Sequence, residues 1–181
     1  MHKQYHSEGP GTPDLSRLRK VGRNVIVEDG VRIFHPENIE IGDNVYIGHD
    51  AILKGYYKSD LIIGNNVWIG QGSFIHAAGG VTIGNDVGIG PHVKIHAAFH
   101  GDDHVTPILG QPLVFESIVV EDDVNIGIGA MVMHGVTLRS GTKVGANAVV
   151  TKTFAPNSVI AGVPARLVRR RAVQASDVSD A

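Results

Sequence analysis

A six-residue repeat constrains this chain more than any other feature of its sequence. Residues 83–100 hold three consecutive units, which open with Ile83, Ile89 and Ile95. In an α-helix a six-residue step turns the chain by roughly 240°, so these isoleucines would point to three different sides. No apolar face would result, and the repeat therefore favours a short strand followed by a turn. Other units open with an aliphatic residue in the same way: Ile41, Ile47, Ile63, Ile126 and Val144.

The fourth residue of the units indicates how the chain turns. Asparagine, aspartate and glycine tolerate positive φ angles better than other residues do. If the first and fifth residues point inward, the fourth can supply the turn, and stacked turns bury a continuous column of Ile and Val. The pattern therefore predicts an all-β solenoid. Residues of this kind hold the fourth place at Asn44, Asp50, Asn66, Asp86, Asp123, Gly135, Gly141 and Asn147.

The spacing of the coils predicts where loops leave the solenoid. Most coils exceed the eighteen residues of three units, and the surplus always follows the third apolar anchor: Ile33, Leu53, Ile75 or Ile95. The insertions therefore share one corner, and the largest forms an extruded loop over residues 101–119. Loops at one corner of a rigid scaffold are typical carriers of function. The coils begin near Val21, Ile41, Ile63, Ile83, Val120 and Leu138.

The repeat resembles the hexapeptide of the left-handed β-helix acyltransferases over roughly residues 21–169. That resemblance implies a left-handed parallel β-helix over residues 21–162. We expect an N-terminal arm or short capping helix over residues 1–20, and a basic C-terminal tail or helix over residues 163–181.

Composition narrows the class of protein. With 181 residues, of which 43% are hydrophobic, the chain can form one domain with a sizeable core. A net charge of −2 gives no general reason to expect nucleic acid or a membrane surface as a partner. The sequence shows no apolar run of transmembrane length and no signal-peptide core, so we expect a cytoplasmic protein. Without cysteine, disulfides and thiolate chemistry are excluded.

Histidines collect at the corner that carries the insertions. His76 and His96 each follow the third anchor directly, so in adjacent coils they should stack about 4.8 Å apart and point outward. We expect them to line a groove for an acceptor molecule, although plain exposed strand residues fit equally well. Six of the histidines lie in third units or their extensions: His35, His76, His96, His100, His104 and His134.

His100 is the candidate general base, because it ends the last regular strand before the long loop. Acyl transfer needs a base near neutral pKa, an oxyanion donor and a groove for the thioester. The segment Val93-Lys-Ile-His-Ala-Ala-Phe-His100, with the loop and Val120-Glu-Asp-Asp-Val-Asn-Ile-Gly after it, resembles the segment that carries the catalytic histidine in galactoside and maltose acetyltransferases. The alternative is a surface histidine at a turn. Candidates to orient its ring are Asp102, Asp103 and Glu116.

The C-terminal coils are similar to the coenzyme A segment of the same family. The similarity lies in Val149-Val-Thr-Lys152 and Ala161-Gly-Val-Pro-Ala-Arg166. It implies backbone contacts at Ala146 and Thr151, with Lys152 and Arg166 near the nucleotide phosphates. A basic surface tail is the alternative interpretation.

Some positions depart from the sugar acetyltransferases. Asn125 replaces an aromatic residue that faces the cofactor, and Gly70 and Ala78 replace residues that serve the galactoside acceptor. The resemblance therefore implies the reaction and the donor, not the particular sugar.

The leading hypothesis is an acetyl-CoA-dependent transferase that acetylates a sugar hydroxyl directly, without a covalent intermediate or a metal. N-acetylation of a nucleotide-linked amino sugar is the nearest variant, and a non-catalytic solenoid is another alternative. A γ-carbonic-anhydrase-like metal site on His76, His96 and His100 is a further alternative, although Lys54 stands where that family has a second ligand.

The family resemblance also implies a homotrimer, whose interface the outward residues Tyr46, Trp68 and Phe74 could line.

Overall fold

A computed structural model describes residues 10–172, which fold into a solenoid with three parallel β-sheets as its faces. The first face contains strands β1 (Lys20–Val21), β4 (Ile39–Ile41), β7 (Leu61–Ile63), β10 (Val81–Ile83), β15 (Ile118–Val120) and β18 (Thr137–Leu138). The second contains β2 (Val25–Val27), β5 (Val45–Ile47), β8 (Val67–Ile69), β11 (Gly88–Ile89), β16 (Asn125–Ile126), β19 (Lys143–Val144), β21 (Ser158–Ala161) and β22 (Arg166–Arg170). The third contains β3 (Arg32–Phe34), β6 (Ile52–Lys54), β9 (Phe74–His76), β12 (Lys94–His96), β17 (Met131–Met133) and β20 (Val149–Val150).

From coil to coil the strands of each face pair in parallel, and among these strands only the terminal strand β22 pairs antiparallel, with β21. This arrangement confirms the solenoid predicted from the repeat and the left-handed β-helix that the family resemblance implied. The register places apolar anchors of successive coils side by side: Ile41 pairs with Ile63, and Ile63 with Ile83. These anchors are at most 2% exposed, so they form the predicted inward column. Burying one such side chain contributes about 1.5–3 kcal/mol, and the repetition makes the column the main source of stability.

The turn residues adopt the predicted left-handed conformation, with φ of 56° at Asn44, 55° at Asn66 and 57° at Asp86. Their side chains also bond from coil to coil. The Asn44 amide donates to Asn66 over 3.0 Å, and the Asn66 amide donates to Asp86 over 3.0 Å. The polar corner therefore forms a ladder parallel to the apolar column. All eight predicted turn positions have positive φ.

The insertions leave from one corner, as predicted. Links from the first face to the second, and from the second to the third, span three or four residues each. Links from the third face back to the first vary, from residues 134–136 to residues 97–117. The longest one carries an antiparallel hairpin made of β13 (Ala98–His100) and β14 (Leu113–Phe115), and a 3₁₀ turn at Ile108–Gly110.

The two ends of the solenoid differ from the sequence-based expectation in detail. The short capping helix is a single 3₁₀ turn at Leu15–Arg17, with Asp14 bonded to the Ser16 N–H, and a second 3₁₀ turn follows at Pro36–Asn38. In the basic tail, β22 pairs antiparallel with β21. The free edge of the last coil explains this strand, because it offers unpaired backbone groups. Residues 1–9 of the predicted arm and 173–181 of the predicted tail lie outside the described residues.

Within residues 10–172, no helix has both the length and the apolar character needed to cross a membrane.

Candidate active site

The hairpin of β13 and β14 places His100 at the mouth of the extruded loop. His100 pairs with Leu113 across the hairpin, and Ala98 pairs with Phe115. Because side chains alternate along a strand, these residues share one face of the hairpin and Phe99 lies on the other. The sequence predicted that His100 ends the last regular strand before a loop over residues 101–119. In the structure the last solenoid strand of this coil is β12, which ends at His96, and the excursion spans residues 97–117, so His100 ends the hairpin strand β13 instead.

A cleft of about 710 Å³ lies within the loop, and His100 forms part of its wall. Asp103 organises the loop, since its carboxylate accepts the Val105 N–H over 2.9 Å and the Thr106 N–H over 3.2 Å. Hydrogen bonds from Thr106 and Val105 also lower the pKa of Asp103. The cleft is lined by residues 100–108 and by Gln111.

The imidazole of His100 is half-buried, and its Nδ1 atom is buried without a hydrogen-bond partner. Within residues 10–172 no carboxylate bonds to this ring. Asp103 is engaged with the loop backbone, and the Glu116 Oε2 atom lies 2.8 Å from Nδ1 of His134. None of the three carboxylates considered from the sequence therefore orients His100 in this structure.

His134, which is paired with Glu116, contacts the face of the hairpin opposite the face that carries His100. The His134 ring stacks on Phe99, with 3.9 Å between ring centroids and 22° between planes. Sequence reasoning placed His134 at the functional corner but assigned it no partner, because the pairing joins two coils across the long loop. The contact fixes the strand that carries His100 against the solenoid.

His76 and His96 form the predicted ladder beside the hairpin. They occupy paired positions in β9 and β12, and their ring centroids are 5.0 Å apart. Tyr56 joins this ladder to the hairpin, 5.9 Å from the His76 ring and 5.7 Å from the Phe115 ring. Burial lowers the pKa of His96, with further lowering by the charges of His134 and Lys54, against an opposing backbone hydrogen bond at Ala98.

Three of the predicted donor-binding residues lie at two corners of the last coil, and the fourth, Arg166, lies on the tail strand β22. Ala146 is exposed in the turn between β19 and β20, and Thr151 and Lys152 are exposed just after β20. The ammonium of Lys152 lies 5.5 Å from the centre of the Phe154 ring. Arg166 is exposed at the start of β22, where it pairs with Ala161. Its guanidinium donates to the backbone oxygen of Ala165 over 3.0 Å.

The three histidines of the metal-site alternative do not come together as a metal centre. No group of three or more His, Asp or Glu side chains able to hold a metal ion occurs in the described part of the chain. His76 and His96 face each other along the ladder, whereas His100 borders the loop cleft.

The parallel solenoid is built from six-residue units, and this repeat identifies the class of protein. Two family models match the chain. The bacterial transferase hexapeptide (six repeats) matches residues 117–152, and the hexapeptide repeat of succinyl-transferase matches residues 60–90.

Curated relatives agree with these matches. The chain is 31% identical to galactoside O-acetyltransferase of Escherichia coli K12 over 82% of its own length and 62% of that protein. It is 30% identical to WcaF of the same organism, provisionally named as a colanic acid biosynthesis acetyltransferase, over 84% of this chain and 69% of WcaF. The chain belongs to the hexapeptide-repeat acetyltransferase family.

A solved structure shares the fold. A point mutant of AntD, an N-acyltransferase from Bacillus cereus, superposes with a TM-score of 0.79 at 22% identity, over 88% of each chain. That protein was crystallised with dTDP-4-amino-4,6-dideoxyglucose and coenzyme A.

Proposed function

We propose that this protein transfers an acetyl group from acetyl-CoA to a hydroxyl group of a sugar or saccharide-like acceptor. The observation that carries the proposal is the position of His100, at the point where the extruded hairpin meets a cleft inside a hexapeptide-repeat scaffold. The match to galactoside O-acetyltransferase supports the transferred acetyl group and the class of acceptor, and the coenzyme A in the AntD structure supports the donor. The chain spans 62% of that relative's length, so the assignment to this chain is a proposal.

In the proposed reaction His100 takes the proton of the acceptor hydroxyl as the oxygen attacks the thioester carbonyl carbon. The C–O bond forms, a backbone N–H stabilises the oxyanion, and the C–S bond then breaks. The proton held by His100 leaves with the coenzyme A thiolate. A histidine suits this role because its proton affinity is balanced near neutral pH.

The remaining residues of the proposed site divide between the two substrates. His76 and His96 line the acceptor groove, since their ladder runs directly up to the base of the hairpin. Ala146 and Thr151 contact the pantetheine arm through their backbones, and Lys152 and Arg166 lie near the phosphates. All four residues are exposed at the C-terminal end of the solenoid, which is compatible with that role.

Thiol release from acetyl-CoA over a panel of sugars and amino sugars tests the proposal. We expect the parent protein to turn over at least one sugar, and His100→Ala to lose about 10²- to 10⁴-fold in kcat, the usual contribution of a general base. Coenzyme A binding should be unchanged. His49→Ala is the matched control, because His49 is an exposed histidine at a different corner.

If the parent protein binds no coenzyme A and releases no thiol with any acceptor, the transferase proposal is wrong. If turnover occurs only with amino sugars, the acceptor group is an amine, and the hydroxyl assignment fails while the donor assignment stands.

A further inference from the structure

Gln111 is a buried polar residue inside an otherwise exposed loop. Only 6% of its surface is exposed. Its Nε2 group donates to the backbone oxygens of Asp103, over 2.5 Å, and Thr106, over 2.8 Å. Because both partners are carbonyl oxygens, which only accept, the amino group must face them and the orientation of the amide is fixed.

This orientation leaves the Oε1 atom of Gln111 buried without a partner. The Nδ1 atom of His100 is in the same condition, and both residues border the same cleft. A buried polar atom without a hydrogen bond destabilises the folded state, so each of these atoms calls for an explanation.

The neck of the loop brings the two residues close together. The Gly101 N–H donates to the Pro112 oxygen over 3.2 Å, which ties the residue after His100 to the residue after Gln111. A Cβ atom placed on Gly101 would lie only 3.0 Å from Oε1 of Gln111. The free carbonyl oxygen of Gln111 is therefore packed against the backbone immediately beside His100.

The two unpartnered atoms are chemically complementary. A histidine that acts as a base through Nε2 carries its proton on Nδ1, and that N–H needs an acceptor to hold the ring in place. Amide oxygens accept and cannot donate. Asp103 and Glu116 already have other partners, as described above, and Asp102 is exposed rather than buried. Gln111 is thus the acceptor left for this role among the buried cleft-lining groups of the described residues.

We propose that Gln111 is the positioning residue of His100: its side-chain oxygen accepts the Nδ1–H when the imidazole turns within the cleft, which leaves Nε2 free as the base. The inference rests on the function proposed above. A neutral amide selects the tautomer and the ring orientation without placing a negative charge beside the base.

Two variants separate this role from a purely structural one. Gln111→Glu and Gln111→Met both remove the amino group that donates to the Asp103 and Thr106 carbonyls. Glu also places a carboxylate oxygen beside these carbonyls, so damage to the loop should be at least as large in Gln111→Glu as in Gln111→Met. Only Gln111→Glu keeps an oxygen acceptor. We expect Gln111→Met to lose about tenfold or more in kcat, and Gln111→Glu to lose clearly less.

The dependence of kcat on pH distinguishes a positioning role from a structural role, because damage to the loop alone would not shift the profile along the pH axis. In Gln111→Glu the acidic limb of the profile should shift to higher pH, because a carboxylate favours the protonated imidazole. If both variants have the same kcat and the parent's acidic limb, the inference is overturned while the His100 assignment stands.

Nitrogen-15 NMR of His100 tests the inference without turnover. In the parent protein at a pH where the ring is neutral, we expect the proton on Nδ1, and in Gln111→Met a mixture of both tautomers. A parent ring protonated on Nε2, or a tautomer population that does not respond to Gln111→Met, would overturn the assignment of Gln111. This outcome is independent of whether the acceptor has been identified.

Discussion

Single residues at the turns of this solenoid have two roles: they adopt the backbone conformation of the turn, and their side chains bond to the next coil. Asn44 and Asn66 adopt positive φ, and their amides bond to the equivalent side chains of the next coil. A glycine would satisfy the backbone but lose the ladder, and a β-branched residue would lose both. The preference for Asn and Asp at these positions therefore has two physical causes.

His96 is expected to make the stability of the protein depend on pH. Because burial lowers its pKa below the usual value of 6.5, the folded state holds its proton less tightly than the unfolded state does. The stability that neutral His96 contributes to the folded state is therefore fully present above about pH 6.5. It is lost as the pH falls toward the lowered pKa.

Urea unfolding of the parent and of His96→Gln between pH 7.5 and about pH 5 measures this effect. We expect the free energy of unfolding to fall less steeply with decreasing pH in His96→Gln. His104→Gln, at an exposed loop histidine, is the control and should follow the parent. Parallel curves for parent and His96→Gln would contradict the burial of a neutral His96.

At the scale of elements, the hairpin of β13 and β14 is an addition to the solenoid. The coils before and after the hairpin pair directly with each other: β10 pairs with β15, and β12 pairs with β17. The same corner is closed by residues 134–136 between β17 and β18. A short link is therefore enough to close a coil at this corner, and the long insertion is not required by the solenoid.

Replacing residues 97–117 by His-Gly-Val, the sequence of the link at residues 134–136, tests this separation. We expect the β-sheet circular dichroism and cooperative unfolding to persist, with a stability change on the order of 1 kcal/mol, because loop length affects closure entropy only weakly. Acetyl transfer should be lost together with His100 and the cleft. Retained coenzyme A binding would place the donor site on the solenoid, and loss of the fold would contradict the view of the hairpin as an addition.

For the whole molecule, the second face carries apolar side chains that the described residues leave exposed. Ile26 is 48% and Trp68 40% exposed, and the Tyr46 and Trp68 rings stack with centroids 5.8 Å apart. Exposed apolar patches of this kind often mark contact surfaces. They fit the homotrimer implied by the family resemblance, which stays a prediction.

Light scattering on the purified protein measures the assembly. We expect three times the chain mass for the parent and one chain mass for Trp68→Asp, because a buried unpaired carboxylate would disfavour the interface. Thr82→Asp, at an exposed outward position of the first face, is the control and should remain a trimer. A monomeric parent would refute the trimer, and a trimeric Trp68→Asp would move the contact to another face.

The sequence located His100 at the loop but left its surroundings open. Gln111 is buried through hydrogen bonds inside the insertion, whose residues follow no repeat. The pairing of Glu116 with His134 joins coils on either side of the long loop. A repeat carries no information about contacts inside an insertion, because the insertion does not follow the repeat. The signal available in the sequence was limited to position: Glu116 and His134 both fall at the corner where insertions occur.

The sequence by itself determined the solenoid, the inward anchors, the turn residues and the corner that carries the insertions. These features follow from a local rule that every unit repeats, so a pattern of single residues suffices to specify them. The tertiary structure alone decided which carboxylate meets which histidine, that the C-terminal tail closes the last coil as β22, and that Gln111 turns its carbonyl toward the neck of the loop beside His100. These features depend on distances between residues that no period relates, and only the folded chain fixes them.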